Sequence, residues 1–380
     1  MFALTDAQRA ARDRARDFVD AEVVPHADRF DREERIDDAL LRKVAAAGYF
    51  GASLPATWGG TQADPITYGL LFEELGRACS SLRCVLTVHT MVAATIARWG
   101  RPAARERWLR RLAAGEAIAA FALTEPEVGS DAAAVTTAAT PAPGGLVVRG
   151  TKRWITSAQI ADVFLVIARL GDAPVALLVD RHQPGVVVRP ITGLLGCRGS
   201  LVAEVALEDA HVPEDGVLAR PGFGVSHVAT HALDDGRYTV AWGCVGLLRA
   251  CVEASTAYAG ERRQFGALLR EQPLVQRLLT DMLVQLKAAR ALCLGAGAAR
   301  ERRDPGALHE TMIAKYFASV AAARAAADAV QIHGARGCGP DAPVQRYLRD
   351  SKIMEIIEGS TQIQQMMIAA SAPRDAARCP

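Results

Sequence analysis

Neither a Gly-x-Gly-x-x-Gly turn after a strand pattern nor a Walker loop occurs in this chain, so a nucleotide, if held, is not held by a Rossmann or P-loop device. Charge of one sign is also missing. The 44 basic and 42 acidic side chains leave a formal charge of +2, and nothing suggests a nucleic-acid partner. Long apolar runs are absent too: the longest candidate, Cys84 to Ala97, is broken by His89 and several threonines, so no membrane span is expected. The eight cysteines form no C-x-x-C pair and sit in apolar contexts, which fits buried thiols in a reducing cytoplasm and no metal. Thr5 to Arg9 opens a charged amphipathic helix where an export signal would be basic and then apolar, so a cytoplasmic protein is expected. Lysine is scarce, with five against an abundance of arginine.

Half of the 380 residues are hydrophobic, and the length exceeds the roughly 250–300 that one core supports, so two or three sub-domains are expected. The texture changes twice. Residues 1–120 show helical spacing of Ala, Leu, Arg and Glu, interrupted near Pro55 to Gly60. From 121 to 221, β-branched runs such as Val163 to Ile167 and Val186 to Val188 alternate with Gly and Pro, as in a small β domain. Residues 222–380 return to helix, with helices expected over Tyr238 to Arg263, Val275 to Arg303 and His309 to Gly334, and the last ten residues frayed. The fold class is α+β.

Glu358 stands out within Asp350-Ser351-Lys352-Ile353-Met354-Glu355-Ile356-Ile357-Glu358-Gly359-Ser360-Thr361-Gln362-Ile363-Gln364. Gly359 stops one helix, and Thr361 with Gln364 spells a capping box for the next. A carboxylate at that joint is a candidate catalytic base; taken alone it also fits a solvated helix-end charge. A second constellation is Phe121-Ala122-Leu123-Thr124-Glu125-Pro126-Glu127-Val128-Gly129-Ser130-Asp131, followed by Gly150-Thr151-Lys152-Arg153-Trp154-Ile155-Thr156-Ser157. Hydroxyls and backbone donors at strand-to-turn transitions can bond the edge of a planar heterocycle while Trp154 covers its face. Turn-making hydroxyls and a core tryptophan would read the same.

The chain resembles the acyl-CoA dehydrogenase family from end to end. The matching residues are Thr124-Glu125-Pro126-x-x-Gly129-Ser130-Asp131, Gly150-x-Lys152-x-Trp154-Ile155-Thr156, Arg237, Arg262-Arg263-Gln264-Phe265-Gly266, Gln331-Ile332-His333-Gly334, Arg349-Asp350-x-Lys352 and Glu358-Gly359-Ser360. The resemblance implies an N-terminal helical domain, a middle β-sandwich or barrel and a C-terminal four-helix bundle, with FAD as cofactor. It implies that Phe121, Leu123, Thr124, Gly129 and Ser130 hold the flavin and the thioester end of the substrate, and that Trp154 and Thr156 flank the isoalloxazine. Arg262, Phe265, Gln331 and Gly334 would meet the pyrophosphate and adenosine end across a subunit interface, so a homo-oligomer, dimer or tetramer, is implied. Ser360 and Gln362 would also touch the cofactor. Glu358 would be the base, and an acceptor must reoxidise the flavin. Some members carry the base just before the arginine matching Arg237; here that position is Gly236.

This sequence departs from the family pattern at several places. Ile357 stands where tyrosine is frequent, Gly334-Ala335 replaces a Gly-Gly pair, Pro273 occupies a glutamine's place, and Leu194 to Ser200 lacks the common lysine. Ser80-Ser81-Leu82-Arg83, Val240 to Cys251 and Met354 to Ser360 look like the dehydrogenases of polyketide clusters that make hydroxymalonyl- or methoxymalonyl-carrier-protein extender units. That likeness implies a small acyl group on an acyl carrier protein; a conventional short-chain acyl-CoA dehydrogenase is the alternative. Expected at the substrate are Arg83, His89, Ser130, Asp234, Arg237 and Gly359. In glutaryl-CoA dehydrogenases an arginine in a context similar to that of Arg83 meets the far carboxylate, a task that suits a guanidinium fork.

Overall fold

The computed structural model describes residues 3–376. Six helices come first: α1 (Asp6–Glu22), α2 (Ala27–Glu33), α3 (Asp38–Ala46), α4 (Pro65–Ala78), α5 (Ser80–Trp99) and α6 (Pro102–Ala114). Local chemistry sets their starts. Thr5 and Gln8 form a reciprocal capping box on α1, and Asp64 accepts the Ile66 and Thr67 N–H groups at the start of α4, with Pro65 in the first turn.

Strands follow: β1 (Ala119–Ala122), β2 (Ala138–Ala142), β3 (Gly145–Ile155), β4 (Val163–Leu170), β5 (Ala173–Asp180), β6 (Val186–Pro190), β7 (Ala203–Pro213) and β8 (Val217–Leu218). They join in one sheet of order β6-β7-β3-β2-β4-β5-β8. Strand β1 pairs in parallel with the first half of β4 and β2 with its end, so β4 is where the sheet turns. Six successive buried residues in β4 and five in β5 show both faces covered.

A π-helical turn at Gly224–Ala229 leads into α7 (Thr230–Glu261). Then come the hairpin β9 (Arg263–Gln264) and β10 (Ala267–Leu268), α8 (Pro273–Glu301), α9 (Ala307–His333), α10 (Ala335–Cys338), α11 (Val344–Met354) and α12 (Thr361–Ala376). Helix α7 begins eight residues before the expected Tyr238, so Asp234 to Arg237 lie on its first two turns. Frayed ends were expected over the last ten residues. In fact α12 continues to Ala376, and the final four lie outside the described residues.

Two cores result, one among the helices and one between the sheet, α5 and α6. Helix α5 serves both: Leu82, Val85 and Leu86 face the helical core, and Val88, Met91, Val92 and Ile96 the sheet side. Its residue Arg83 therefore sits at the meeting of the layers. Helices α4 and α7 cross closely enough that a Cβ on Gly76 would strike the backbone of Gly243. The loop after β6 is tied down twice: Cys197 N–H donates to Asp350 of α11 at 2.6 Å, and Gly199 N–H to Ser81 of α5 at 3.1 Å.

Contrary to the sequence expectation, α5 and α8 are both long and apolar enough to match a membrane span. Helix α5 is a core helix, 89% buried over its apolar window, whereas α8 is 33% buried and exposes Leu274, Leu283 and Val284. Cys379 lies outside the described residues; of the other seven cysteines, all free thiols, only Cys338 is exposed.

Candidate active site

Between α11 and α12 the chain takes two consecutive left-handed residues, Glu358 at φ 56° and Gly359 at φ 91°. Glycine adopts this at no steric cost; a glutamate there is strained by on the order of 1–3 kcal/mol and must be held. Three side chains hold it through four hydrogen bonds. Arg237 Nε donates to the Glu358 carbonyl at 2.9 Å, Lys315 Nζ to the Gly359 carbonyl at 2.9 Å, and Gln364 Nε2 to both, at 3.1 and 3.2 Å. The expected Thr361–Gln364 capping box does not form. Ser360 takes the cap, its hydroxyl 3.4 Å from Ile363 N, while Thr361 turns back onto the Glu355 carbonyl. Gln364 is thereby free to pin the joint. The N–H groups of Glu358, Gly359 and Ser360 find no backbone acceptor among the described residues.

The Glu358 carboxylate points at Gly236. A Cβ there would lie 2.5 Å from Oε2 and 2.7 Å from Cδ, so the glycine makes the seat. Oε2 is buried and has no hydrogen-bond partner. Burial raises the Glu358 pKa to about 7; Arg237, Lys315 and Arg83 oppose the rise and Asp235 supports it. Asp235 is itself pushed up to about 6 by burial, and its Oδ2 accepts the Tyr68 hydroxyl at 3.1 Å. Lys315, wholly buried, is brought down to about 8 by burial. A carboxyl group that titrates near neutrality can take up a proton and release it again.

Arg83 is 1% exposed and has no ion-pair partner among the described residues. Its N–H groups reach only neutral acceptors: Thr87 Oγ1 at 3.3 Å, Cys84 Sγ at 3.1 Å and Met354 Sδ at 2.8 Å. Gly243 admits its stem, since a Cβ there would sit 2.8 Å from Arg83 Cδ. Cys84 hydrogen-bonds Cys197, and that bond and the guanidinium together pull the Cys84 thiol below its ordinary value against burial. A buried cation with weak partners is costly to keep.

The other substrate candidates divide. His89 does not join them: Nε2 lies 3.1 Å from the Leu112 carbonyl and Nδ1 accepts the Ala119 N–H at 3.3 Å, so both ring nitrogens are spent on backbone between α5, α6 and β1. Burial lowers its pKa to about 4, and it is a neutral structural histidine. Asp234 pairs with Arg300 at 2.7 Å through Oδ2, leaving Oδ1 buried and unpartnered. Arg237 and Gly359 meet at the joint itself.

On the β side, Arg153 N–H donates to the Thr124 carbonyl at 2.9 Å, which brings the two hydroxyl-rich blocks together. Sequence reading missed what locks them. Glu125 and Lys152, 3% and 0% exposed, pair at 2.7 Å; Lys152 also donates to the Leu123 carbonyl, and Thr136 and Thr137 give Glu125 two backbone and two hydroxyl donors. Burial alone would raise Glu125, but these donors hold it at about 2. Sharing of two charged types between the blocks was the available signal. Above the lock, Trp154 is 51% exposed at φ 62°, Gly129 and Ser130 are exposed, and Phe121, Thr124 and Thr156 are half-buried. Ser157 Oγ is buried without a partner.

Arg262 and Gly334 line a separate cleft of about 390 Å³ with Tyr258, Gln264, His333 and Arg336, all from the C-terminal helices and the hairpin. Phe265, at the hairpin turn, is 96% exposed. Gln331 on the last turn of α9 and Gln362 on the first turn of α12 are exposed, and Ser360 is half-buried.

Family models for the acyl-CoA dehydrogenase N-terminal, middle and C-terminal domains match residues 5–116, 120–210 and 224–372. A probable acyl-CoA dehydrogenase, YngJ of Bacillus subtilis, is 36% identical over 97% of this chain and 98% of its own. The structure of butyryl-CoA dehydrogenase from Megasphaera elsdenii superposes with a TM-score of 0.94 at 30% identity, covering 98% of this chain and 99% of that one. FkbI, described as serving biosynthesis of the methoxymalonyl extender unit of the polyketide immunosuppressant Fk520, superposes at 0.86 with 32% identity over 98% and 99%. With all three domains matched in order around one strained glutamate whose Oε2 is buried, the chain belongs to the acyl-CoA dehydrogenase family of FAD-dependent oxidoreductases.

Proposed function

We propose that this enzyme oxidises a small, polar or carboxylate-bearing acyl group held as a thioester on a carrier protein, in assembly of a hydroxymalonyl- or methoxymalonyl-type polyketide extender unit. The observation that carries this reading is Arg83: a buried guanidinium without a carboxylate, close enough to Glu358 to act on its charge. An alkyl chain would leave that cation unsatisfied; a hydroxyl or carboxylate would complete it. The likeness to FkbI supports the carrier-bound substrate, and the higher TM-score of butyryl-CoA dehydrogenase favours the alternative, a conventional short-chain acyl-CoA α,β-dehydrogenase.

The residues present fit FAD. Trp154 offers an exposed ring face beside Thr124 and Thr156, Ser157 Oγ is an orphaned buried polar atom next to them, and the Arg262–Gly334 cleft offers a cationic seat for a pyrophosphate. Phe121, Leu123, Thr124, Gly129, Ser130, Trp154 and Thr156 would hold the flavin, with Ser360 and Gln362 beside it. Arg262, Phe265, Gln331 and Gly334 would hold the adenosine end of a neighbouring subunit's cofactor. A homo-oligomer, dimer or tetramer, would also cover Phe265 and the apolar face of α8. The six buried thiols suit a cytoplasmic location.

Bound FAD supplies a two-electron acceptor for hydride. Glu358 Oε2 removes the proton α to the thioester carbonyl. The free N–H of Glu358 donates to that carbonyl as enolate charge develops, and Arg237, Lys315 and Gln364 keep the donor aimed. The β-hydrogen leaves as hydride, so one proton and one hydride are lost. On a 2,3-dihydroxypropionyl thioester the same two removals leave an enediol whose tautomer is the C3 aldehyde. Intact-mass measurement of glyceryl-loaded carrier protein with the purified holoenzyme tests this: loss of two hydrogens is expected. No mass change, with butyryl thioester oxidised under the same conditions, would establish the alternative.

A further inference from the structure

Two arginine-rich helices of this chain dispose of their charge differently. On α1, Arg9 and Arg12 pair with Asp6 and Asp13 of the same helix, Arg16 reaches Glu74, and Arg14 alone has no ion-pair partner among the described residues. On α6, its N-cap and the last turn of α5, Arg98, Arg101, Arg105, Arg110 and Arg111 have no ion-pair partner among the described residues, and only Arg107 is paired, with Asp180. Glu106 is the single acid of α6. Since the whole chain carries only +2, this cluster is a local concentration and not a reflection of overall charge.

Tryptophans organise the face. Arg98 lies 5.6 Å from the Trp99 ring centroid, Arg107 and Arg111 lie 4.9 and 5.4 Å from that of Trp108, and Arg110 lies 5.6 Å from that of Trp58. Three of the chain's five tryptophans therefore hold guanidinium planes that an unpaired surface arginine would leave free to rotate. Ordering them in advance reduces the entropy that docking would otherwise cost.

The face also adjoins the reaction site. Trp99, which ends α5, meets His227 of the turn before α7 edge-on at 6.1 Å. His231, on the first turn of α7, stands within the fields of Asp234, Arg98 and Arg300 together. Asp234 is three residues from Arg237, which holds the Glu358 carbonyl. A guest at the Arg98 end of this surface thus lies beside the N-terminal end of α7, on which the candidate substrate residues sit.

We infer that the arginine-rich surface at the α5–α6 corner, from Arg98 on the last turn of α5 to Arg111 on α6, is the docking surface for an acidic protein that delivers the thioester substrate. This rests on the carrier-tethered reading of the substrate. Opposed charge would steer the encounter and raise the association rate, and the cationic face would register the carrier so that its thioester arm enters along α7. Salt should weaken the effect, since exposed charges are screened beyond about 8–10 Å at physiological ionic strength.

The experiment compares the holoenzyme with an Arg101→Glu/Arg110→Glu variant on one acyl group presented two ways, on an acidic carrier protein and as a small N-acetylcysteamine thioester. Both positions are exposed, and turnover of the small thioester reports that the variant is folded and loaded. The expected result is a fall of tenfold or more in kcat/KM for the carrier-bound substrate, with the small thioester unchanged and kcat/KM of the unaltered enzyme falling with salt only on the carrier. Equal kcat/KM on the carrier for both proteins would overturn the docking surface while leaving the carrier reading intact. If the unaltered enzyme ignores the carrier-bound group yet oxidises the small thioester, the carrier reading fails and the docking surface with it. An equal loss on both substrates assigns these arginines to general stability and also overturns the inference.

Discussion

Glu125 and Glu358 are both carboxylates withdrawn from water beside a buried lysine or arginine, and the structure treats them oppositely. Glu125 receives five hydrogen bonds, from Lys152, two N–H groups and two hydroxyls, and is held at about 2. Glu358 has an oxygen with no partner, its neighbouring cations donate to backbone carbonyls instead, and burial carries it to about 7. Burial is common to both; the destination of the nearby donors decides whether the carboxylate becomes a fixed charge or a proton acceptor. The first locks two strand-to-turn blocks together, and the second is left free to react.

Breaking the lock should have the largest effect. Lys152→Met leaves Glu125 buried without its cation, and removal of one partner of a buried pair costs about 3–5 kcal/mol. Thermal unfolding of the holoenzyme should show it, with Glu125→Gln/Lys152→Met regaining much of the loss; a double variant no better than the single would mean that packing, not charge, holds the blocks.

At the other carboxylate, Glu358→Gln should keep FAD bound while flavin reduction by substrate falls by at least ~10²-fold. Linkage gives a second readout of opposite sign to Glu125. Glu358 has a folded pKa raised above its ordinary 4.5, so its contribution is present below that value and is lost as pH rises through about 7. The glutamine variant should therefore melt higher than the unaltered enzyme at pH 8 and not at pH 5. Glu125 has a depressed folded pKa, so its stability is present above about 4.5 and fades as pH falls toward 2. Equal melting curves for the Glu358 pair at pH 8 would argue against a strained, desolvated base.

Gly236→Ala probes the seat alone. With a Cβ 2.5 Å from Oε2, the carboxylate must shift, and a displacement near 1 Å can cost up to ~10²-fold in flavin reduction while the fold and FAD content stay as they were. Unchanged rates would show that the carboxylate is mobile. Smallest of all should be Arg83→Met, about tenfold in the ratio of turnover between a hydroxylated three-carbon thioester and butyryl thioester, as expected for losing one charged hydrogen bond at the low end of its range, about 1.5 kcal/mol. Equal losses on both substrates would remove Arg83 from specificity.

Much of this organisation was legible in the sequence. The α, then β, then α order followed from hydrophobic period and β-branched runs, and Glu358 was marked by the glycine after it and the hydroxyl-rich helix start. What was hidden depended on contacts distant along the chain. Gly236 reads as a missing side chain until the carboxylate of Glu358 is seen filling the gap, 122 positions later. Glu125 and Lys152 read as part of a cofactor motif, although their atoms face each other. His89 looked like a pocket residue because a histidine in an apolar helix invites a function; only the carbonyl of Leu112 and the N–H of Ala119 show that both nitrogens are occupied. The cap lies on Ser360 and not on Thr361, since Gln364, correctly spaced to close a box on Thr361, is drawn instead to the carbonyls of the joint.

The contrast between a charged lock and a near-neutral base is tested most directly by the pH dependence of flavin reduction in single-turnover stopped flow. Glu358 must be ionised to accept the α-proton, so with its pKa raised to about 7 the rate should fall as pH drops through that value, and Glu358→Gln should lose this limb along with its activity. A rate that stays level from pH 8 down to 5, with a limb only near the ordinary carboxylate range, would contradict it.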